Sequence, residues 1–188
     1  MKIYPFIFVL LIAAISGCTV VKDDTEANIT EVNTMQNISI SAEAFKEGEM
    51  IPSEYTGDGR DISPALSWSG IPRSTKSIAL IMDDPDAPRG TFVHWVLYNI
   101  PADTVGLPKA IPVKDTLGDG SRQGRTDCGE NGYCGPSPPP GKPHRYYFRI
   151  YALDTKLDLP PGASKSDVEK AMKGHILAKG ELMGKYGR

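Results

Sequence analysis

The segment from Thr91 to Ile100 carries the strongest structural signal in this chain, because it is dense in β-branched and aromatic residues and stops at Pro101. Residues 145–153 form a second segment of the same kind. Shorter strands are predicted at 38–45, 66–69 and 77–82, where apolar residues alternate or run together before turn-forming residues. The signal is therefore that of a mainly antiparallel β domain.

A single helix is predicted near the end of the chain. Ser164 or Ser166 can serve as its N-cap, and Gly174 is a suitable stop. The segment Ile176–Tyr186 fits a strand or a helix, and Gly180 in its middle favours the strand. Between these elements, 19 Gly and 16 Pro residues without a collagen period indicate many turns and long loops.

The charge balance excludes one broad class of partner. Lys and Arg number 21 against 23 Asp and Glu, which gives a formal net charge of -2. Nucleic-acid binding needs a basic excess to neutralise phosphates, and this chain has none, so we expect no nucleic-acid partner.

The first residues resemble a lipoprotein signal. Lys2 precedes an apolar run, Phe6–Ile15, which is about half the length of a membrane span. The run ends in Ile15-Ser16-Gly17-Cys18, which is similar to the lipobox of bacterial-type lipoproteins. Residues 1–17 are therefore predicted to be a cleaved signal peptide and Cys18 a lipidated N-terminus that holds an extracytoplasmic protein to a membrane. An ordinary secretory signal with a chance cysteine is the alternative.

Residues 18–37 are predicted to form a flexible, acidic tether that ends where the domain, residues 38–188, begins. The alternative for this segment is a first edge strand. Once Cys18 is set aside, Cys128 and Cys134 remain as a pair flanking a turn-prone stretch. A disulfide is the favoured interpretation in an exported protein, with two free thiols or a metal pair as alternatives, although no CxxC spacing is present.

Three features could converge on one site. Asp84 begins a Pro-flanked turn after an apolar strand, His94 lies inside the strong strand, and His144 and Tyr146 open the second strong strand. Because side chains alternate along a strand, His144 and Tyr146 share a face and could both donate to a small anion. Asp84 would repel phosphate directly, but it could orient a histidine ring nitrogen.

Four motifs in order resemble the phosphatidylethanolamine-binding protein family, and most closely its bacterial and archaeal branch, the Raf kinase inhibitor-like proteins. They are the run 58–68, the turn 84–88, His94-Trp95, and the Gly- and Pro-rich loop that ends in His144-Arg145-Tyr146. The resemblance implies a large antiparallel sheet packed on a smaller sheet, with one or two short helices near the C-terminus. It also implies a small anion-binding pocket formed by Asp84, His94, His144 and Tyr146, with Pro138 and Pro139 as its rim.

The leading functional prediction is a membrane-tethered binding protein for a small anionic or phosphate-bearing ligand, such as phosphate or a phosphoethanolamine-like group. We expect no cofactor, no metal site and no catalytic residue, because no GxSxG or HExxH motif is present. A protease or signalling-protein inhibitor acting through surface loops is one alternative, and a metal-assisted phosphoester hydrolase is another. A homodimer is left open.

Overall fold

The computed structural model describes Met1 and residues 36–188, so the rest of the predicted signal peptide, Cys18 and nearly all of the predicted tether lie outside the described residues. The described strands and the helix all lie in one unit, Thr34–Arg188. The strands are β1 (Gln36–Asn37), β2 (Ser39–Ala42), β3 (Leu66–Ser69), β4 (Ser77–Asp84), β5 (Phe92–Pro101), β6 (Gly106–Leu107), β7 (Arg122–Gln123), β8 (His144–Leu153) and β9 (Ile176–Tyr186); the α-helix is α1 (Lys165–Met172), and Ser53–Tyr55 forms a short 3-10 turn.

The strands form two sheets, which confirms the predicted mainly β architecture. The six-stranded sheet has the order β1, β9, β8, β4, β5, β7, and the three-stranded sheet has the order β2, β3, β6. The pairings between these strands are antiparallel except at one edge, where β1 runs parallel to β9 with Gln36 opposite Ala178. The large sheet is therefore mixed, and residues 36–37, predicted as the end of the tether, belong to its edge strand.

The large sheet is covered on both faces, which explains why every residue of β4 is buried. Ile78, Leu80 and Met82 face a core shared with the small sheet, which contributes Leu66 and Trp68. The alternate residues Ala79 and Ile81 face a second cluster, which contains Val168 and Met172 of α1. The period of two along β4 thus divides its side chains between two apolar layers.

The helix and the last strand are as the residue pattern predicts. The Ser164 side chain accepts a hydrogen bond from the backbone N–H of Asp167, whose carboxylate accepts from Ser164 in return, so Ser164 is the N-cap in a capping box. Gly180 lies inside β9 because the chain crosses it closely: a Cβ at Gly180 would lie 2.1 Å from the carbonyl oxygen of Ile38. Among the described residues, none of the helices is long and apolar enough to cross a membrane.

Candidate functional site

Asp84 holds the turn after β4 and a histidine from another strand at the same time. Its Oδ1 accepts a hydrogen bond from the backbone N–H of Asp86 at 2.8 Å. Its Oδ2 accepts from Nδ1 of His144 at 2.7 Å. Because a carboxylate can only accept, Nδ1 of His144 carries a proton, and Nε2 is the ring nitrogen left for other partners.

The opening of β8 alternates as predicted. Arg145 lies on the opposite face from His144 and Tyr146 and binds Asp86 through Nε at 2.9 Å and Nη2 at 2.6 Å. The Arg145 guanidinium lowers the pKa of Asp86 to about 2. Asp86 therefore holds the turn to Arg145, whereas Asp84 holds it to His144.

Tyr146 supplies a buried hydroxyl that no neighbour satisfies. Its side chain is fully buried, and its Oη makes no hydrogen bond of normal geometry among the described residues, although the carboxylate of Asp84 lies near enough to interact with it. Burial raises the pKa of Tyr146 well above its usual range, and the negative charge of Asp84 adds to the effect. The phenol therefore stays protonated and remains a donor, and leaving such a group unpaired costs about 1–3 kcal/mol.

His94 is held in its neutral form on β5. It is only 4 % exposed, and burial lowers its pKa. Its Nδ1–H donates to the carbonyl oxygen of Cys134 at 2.7 Å, while the backbone N–H of Cys134 donates to the His94 carbonyl at 2.9 Å. The ring meets that of Tyr146 edge-on, with centroids 5.2 Å apart. Neutral His94 thus offers Nε2 as an acceptor.

The loop before β8 is fixed to the rest of the domain at several points. The structure joins Cys128 and Cys134 in a disulfide with Cα atoms 6.6 Å apart, the pairing favoured from the sequence. The backbone N–H of Gly135 donates to Oδ1 of Asp61 at 2.6 Å, and a Cβ at Gly135 would lie 2.7 Å from the carbonyl oxygen of Tyr55. The backbone N–H of Gly135, which lines the pocket loop, is therefore already engaged by Asp61.

These groups surround one cavity of about 320 Å³. It brings together the six residues predicted for the pocket: Asp84, His94, Pro138, Pro139, His144 and Tyr146. It is also lined by residues that were not predicted for it, among them Ala87, Pro88, Arg89, Gly90, Phe92 and Cys128. Phe92 could have been found, because it lies two residues before His94 on the same strand face. Arg89, exposed beside the Pro-flanked turn, adds a cation at this site.

The cavity combines apolar walls with few polar groups, as small-molecule sites usually do. Its lining includes the phenol of Tyr146 and the imidazoles of His94 and His144, whose Nδ1 atoms are engaged by protein acceptors. A neutral imidazole held in this way can accept at Nε2, so it suits a ligand that carries a proton, such as monohydrogen phosphate. Protonated His144 would instead donate, with Asp84 as its counter-ion.

Among the described residues, no cluster of three or more His, Cys, Asp or Glu side chains is arranged to hold a metal ion. The two nucleophile candidates in the pocket loop are engaged elsewhere. Cys134 forms the disulfide, and Oγ of Ser137 contacts Nη2 of Arg188.

Comparison with known proteins agrees with the fold and with the motifs. Residues 41–187 match the model of the phosphatidylethanolamine-binding protein family. A UPF0098 protein of Methanothermobacter thermautotrophicus is 54% identical over 151 residues, which cover 80% of this chain and 99% of that protein. The UPF0098 protein YbhB of Escherichia coli is 38% identical over 150 residues, covering 76% of this chain and 95% of YbhB.

Two crystal structures share the architecture. A phosphatidylethanolamine-binding protein homologue from Chlamydia trachomatis superimposes with a TM-score of 0.74 at 39% identity, covering 81% of this chain and 98% of its own. YbcL of Escherichia coli gives a TM-score of 0.75 at 34% identity, covering 81% of this chain and 99% of its own. The chain therefore belongs to the bacterial and archaeal branch of the phosphatidylethanolamine-binding protein family.

Proposed function

We propose that this chain is an extracytoplasmic, membrane-tethered binding protein whose cavity takes a small anion, phosphate or a phosphoethanolamine-like group. The observation that carries the proposal is the unpaired hydroxyl of Tyr146, buried in the same cavity wall as a histidine that Asp84 holds in one orientation. A ligand oxygen that accepts from this hydroxyl would remove the cost of leaving it unpaired.

The negative charge of Asp84 is compatible with an anionic ligand in the cavity. Asp84 is 3% exposed, and each of its oxygens accepts a hydrogen bond, one from Asp86 and one from His144. Both of its carboxylate oxygens are therefore engaged by donors of the protein. When His144 is protonated, the pair is neutral as a whole, and the Nε2–H can donate to the anion.

We expect the affinity of the cavity for a simple anion to be modest. Proline has no backbone N–H, so the Pro138-Pro139 rim supplies no donors of the kind that phosphate loops use. The backbone N–H of Gly135 is engaged by Asp61, and that of Gly141 donates to the Arg188 carbonyl at 3.3 Å. A dissociation constant on the order of micromolar to millimolar is the expectation for so few donors.

The test is a calorimetric titration of the domain with inorganic phosphate and with phosphoethanolamine. His144→Ala should weaken binding by about 1.5–3 kcal/mol, the value of a hydrogen bond to a charged group. The chain offers a matched control in His175, whose Nδ1 lies 2.8 Å from Oδ1 of Asp154 outside the cavity. His175→Ala should bind like the wild type. If His94→Ala and His144→Ala both titrate like the wild type, the cavity is not the anion site.

A further inference from the structure

A second and larger groove adjoins the cavity. Its volume is about 760 Å³, and it shares two wall residues with the cavity, Pro139 and His144. Its remaining lining residues are Asp86, Pro140, Lys142, Pro143, Arg145 and Lys185. His144 therefore stands between two spaces: the cavity with Tyr146 and His94 on one side and a groove with three cationic side chains on the other.

The protein balances only one of the three cations of this groove. Arg145 is neutralised by Asp86, which it binds through two nitrogens. Neither Lys142 nor Lys185 takes part in any of the ion pairs formed among residues 36–188. Three cations against one carboxylate leave the groove with two unbalanced positive charges, besides any charge on His144.

The sheet register keeps two of these cations together. Arg145 of β8 lies directly opposite Lys185 of β9 in the antiparallel ladder. Side chains in such positions share a face with Cβ atoms about 4.5–5.5 Å apart, and like charges placed there are destabilising. Asp86 offsets only the positive charge of Arg145. An anion bound in the groove would offset the positive charges of Lys142 and Lys185.

We propose that this groove is a second anion subsite and that the ligand of the cavity carries two or more anionic groups, such as neighbouring phosphates. This inference rests on the proposed function, because it assigns one anionic group to the cavity and the next to Lys142 and Lys185. His144, which lines both spaces, would contact the ligand between the two groups. The chemical class is a polyphosphate or bisphosphate, free or as part of a larger molecule.

The experiment compares inorganic phosphate with inorganic tripolyphosphate on the whole domain. Wild type should bind tripolyphosphate at least tenfold more tightly than phosphate at low salt. The double variant Lys142→Ala/Lys185→Ala should lose at least about fivefold of the tripolyphosphate affinity and keep its phosphate affinity, since exposed ion pairs contribute modestly. The loss should shrink as salt rises, because exposed charges are screened. Lys46→Ala/Lys156→Ala changes the net charge equally at exposed lysines that line neither space and should bind like wild type.

Two outcomes would overturn the inference. One is equal affinity of wild type for phosphate and tripolyphosphate. The other is a preference that survives in Lys142→Ala/Lys185→Ala or is lost equally in Lys46→Ala/Lys156→Ala. Failure of the proposed function looks different: phosphate binding would be absent or unaffected by His144→Ala, whatever the lysine variants do to tripolyphosphate.

Discussion

Oδ2 of Asp84 lies 2.7 Å from Nδ1 of His144, although 60 residues separate them in the chain. The contact requires β4 and β8 to be neighbours in the sheet, with Asp84 at the end of one and His144 at the start of the other. It gives the carboxylate a role that does not conflict with an anionic ligand, because it sets which nitrogen of His144 is free.

Asp84→Asn should weaken anion binding. The amide has one acceptor oxygen, which the N–H of Asp86 needs, so its NH₂ would face Nδ1 of His144 and could not accept from it. The ring would then lose the orientation that the carboxylate gives it, so calorimetric titration with sulfate at one pH should show weaker binding to the variant than to wild type. Equal sulfate affinity of the two proteins would contradict this role for Asp84.

Tyr146→Phe should separate stability from binding. Removing a buried hydroxyl that has no partner should leave the free energy of unfolding unchanged or raise it by up to about 1 kcal/mol, while phosphate binding weakens. Tyr133→Phe is the matched control, because Oη of Tyr133 donates to the Tyr55 carbonyl at 2.6 Å. That variant should lose about 1 kcal/mol in urea unfolding. Phosphate affinity of wild-type strength in Tyr146→Phe would contradict the assigned donor.

His94 should make the domain less stable in mild acid. Burial lowers the pKa of His94 in the folded state, so below its ordinary value of about 6.5 the unfolded chain binds a proton that the folded chain does not. The contribution of His94 to the free energy of unfolding is complete above about pH 6.5 and is lost as the pH falls toward the folded-state pKa of His94. The slope is at most about 1.4 kcal/mol per pH unit. Between pH 7.5 and 5, the free energy of unfolding in urea should fall more steeply for wild type than for His94→Gln, by up to this slope. Equal pH profiles of the two proteins would contradict the prediction.

The disulfide should contribute to stability and to the shape of the cavity. Closing so short a loop stabilises a fold by about 2.4 kcal/mol on the chain-entropy model, so Cys128→Ser/Cys134→Ser should unfold at correspondingly lower urea concentration. Because the carbonyl of Cys134 accepts from His94, the double variant should also bind phosphate more weakly. Thiol labelling of denatured, non-reduced exported protein should modify neither cysteine; labelling of both would end this prediction.

Membrane tethering through Cys18 is tested in the full-length precursor. Cys18→Ala should block lipidation, so the variant is either retained as the uncleaved precursor or released from the membrane. Fractionation followed by mass determination of the N-terminal peptide distinguishes these products from a lipidated Cys18. Processing at the same site with wild-type membrane association would show that the lipobox interpretation is wrong.

The local sequence pattern was sufficient to predict most of the secondary-structure elements and part of the candidate site. Alternation along residues 145–153 places His144 and Tyr146 on one face, and β-branched and aromatic content identifies β5 around His94. The same alternation would have identified Phe92 as a cavity residue. The six residues carried over from the family resemblance line a single cavity.

Long-range contacts explain what local pattern did not supply. Asp61, in a left-handed conformation with φ 54°, accepts from the backbone N–H of Gly135 across 74 residues, a contact that no local pattern indicates. The parallel edge strand Gln36–Asn37 was placed in the tether because two residues carry no periodic signal. The groove beside His144 depends on the register between Arg145 and Lys185, which only the paired strands define.

The most direct test of the central proposal is a crystal structure of the domain soaked in inorganic phosphate. We predict a phosphate in the cavity with oxygens about 2.7–3.0 Å from Oη of Tyr146 and from Nε2 of His144. The Asp84–His144 hydrogen bond should be retained. A phosphate that is ordered elsewhere while the cavity holds none, or one that touches neither Tyr146 nor His144, would contradict the assignment of this cavity as the anion site.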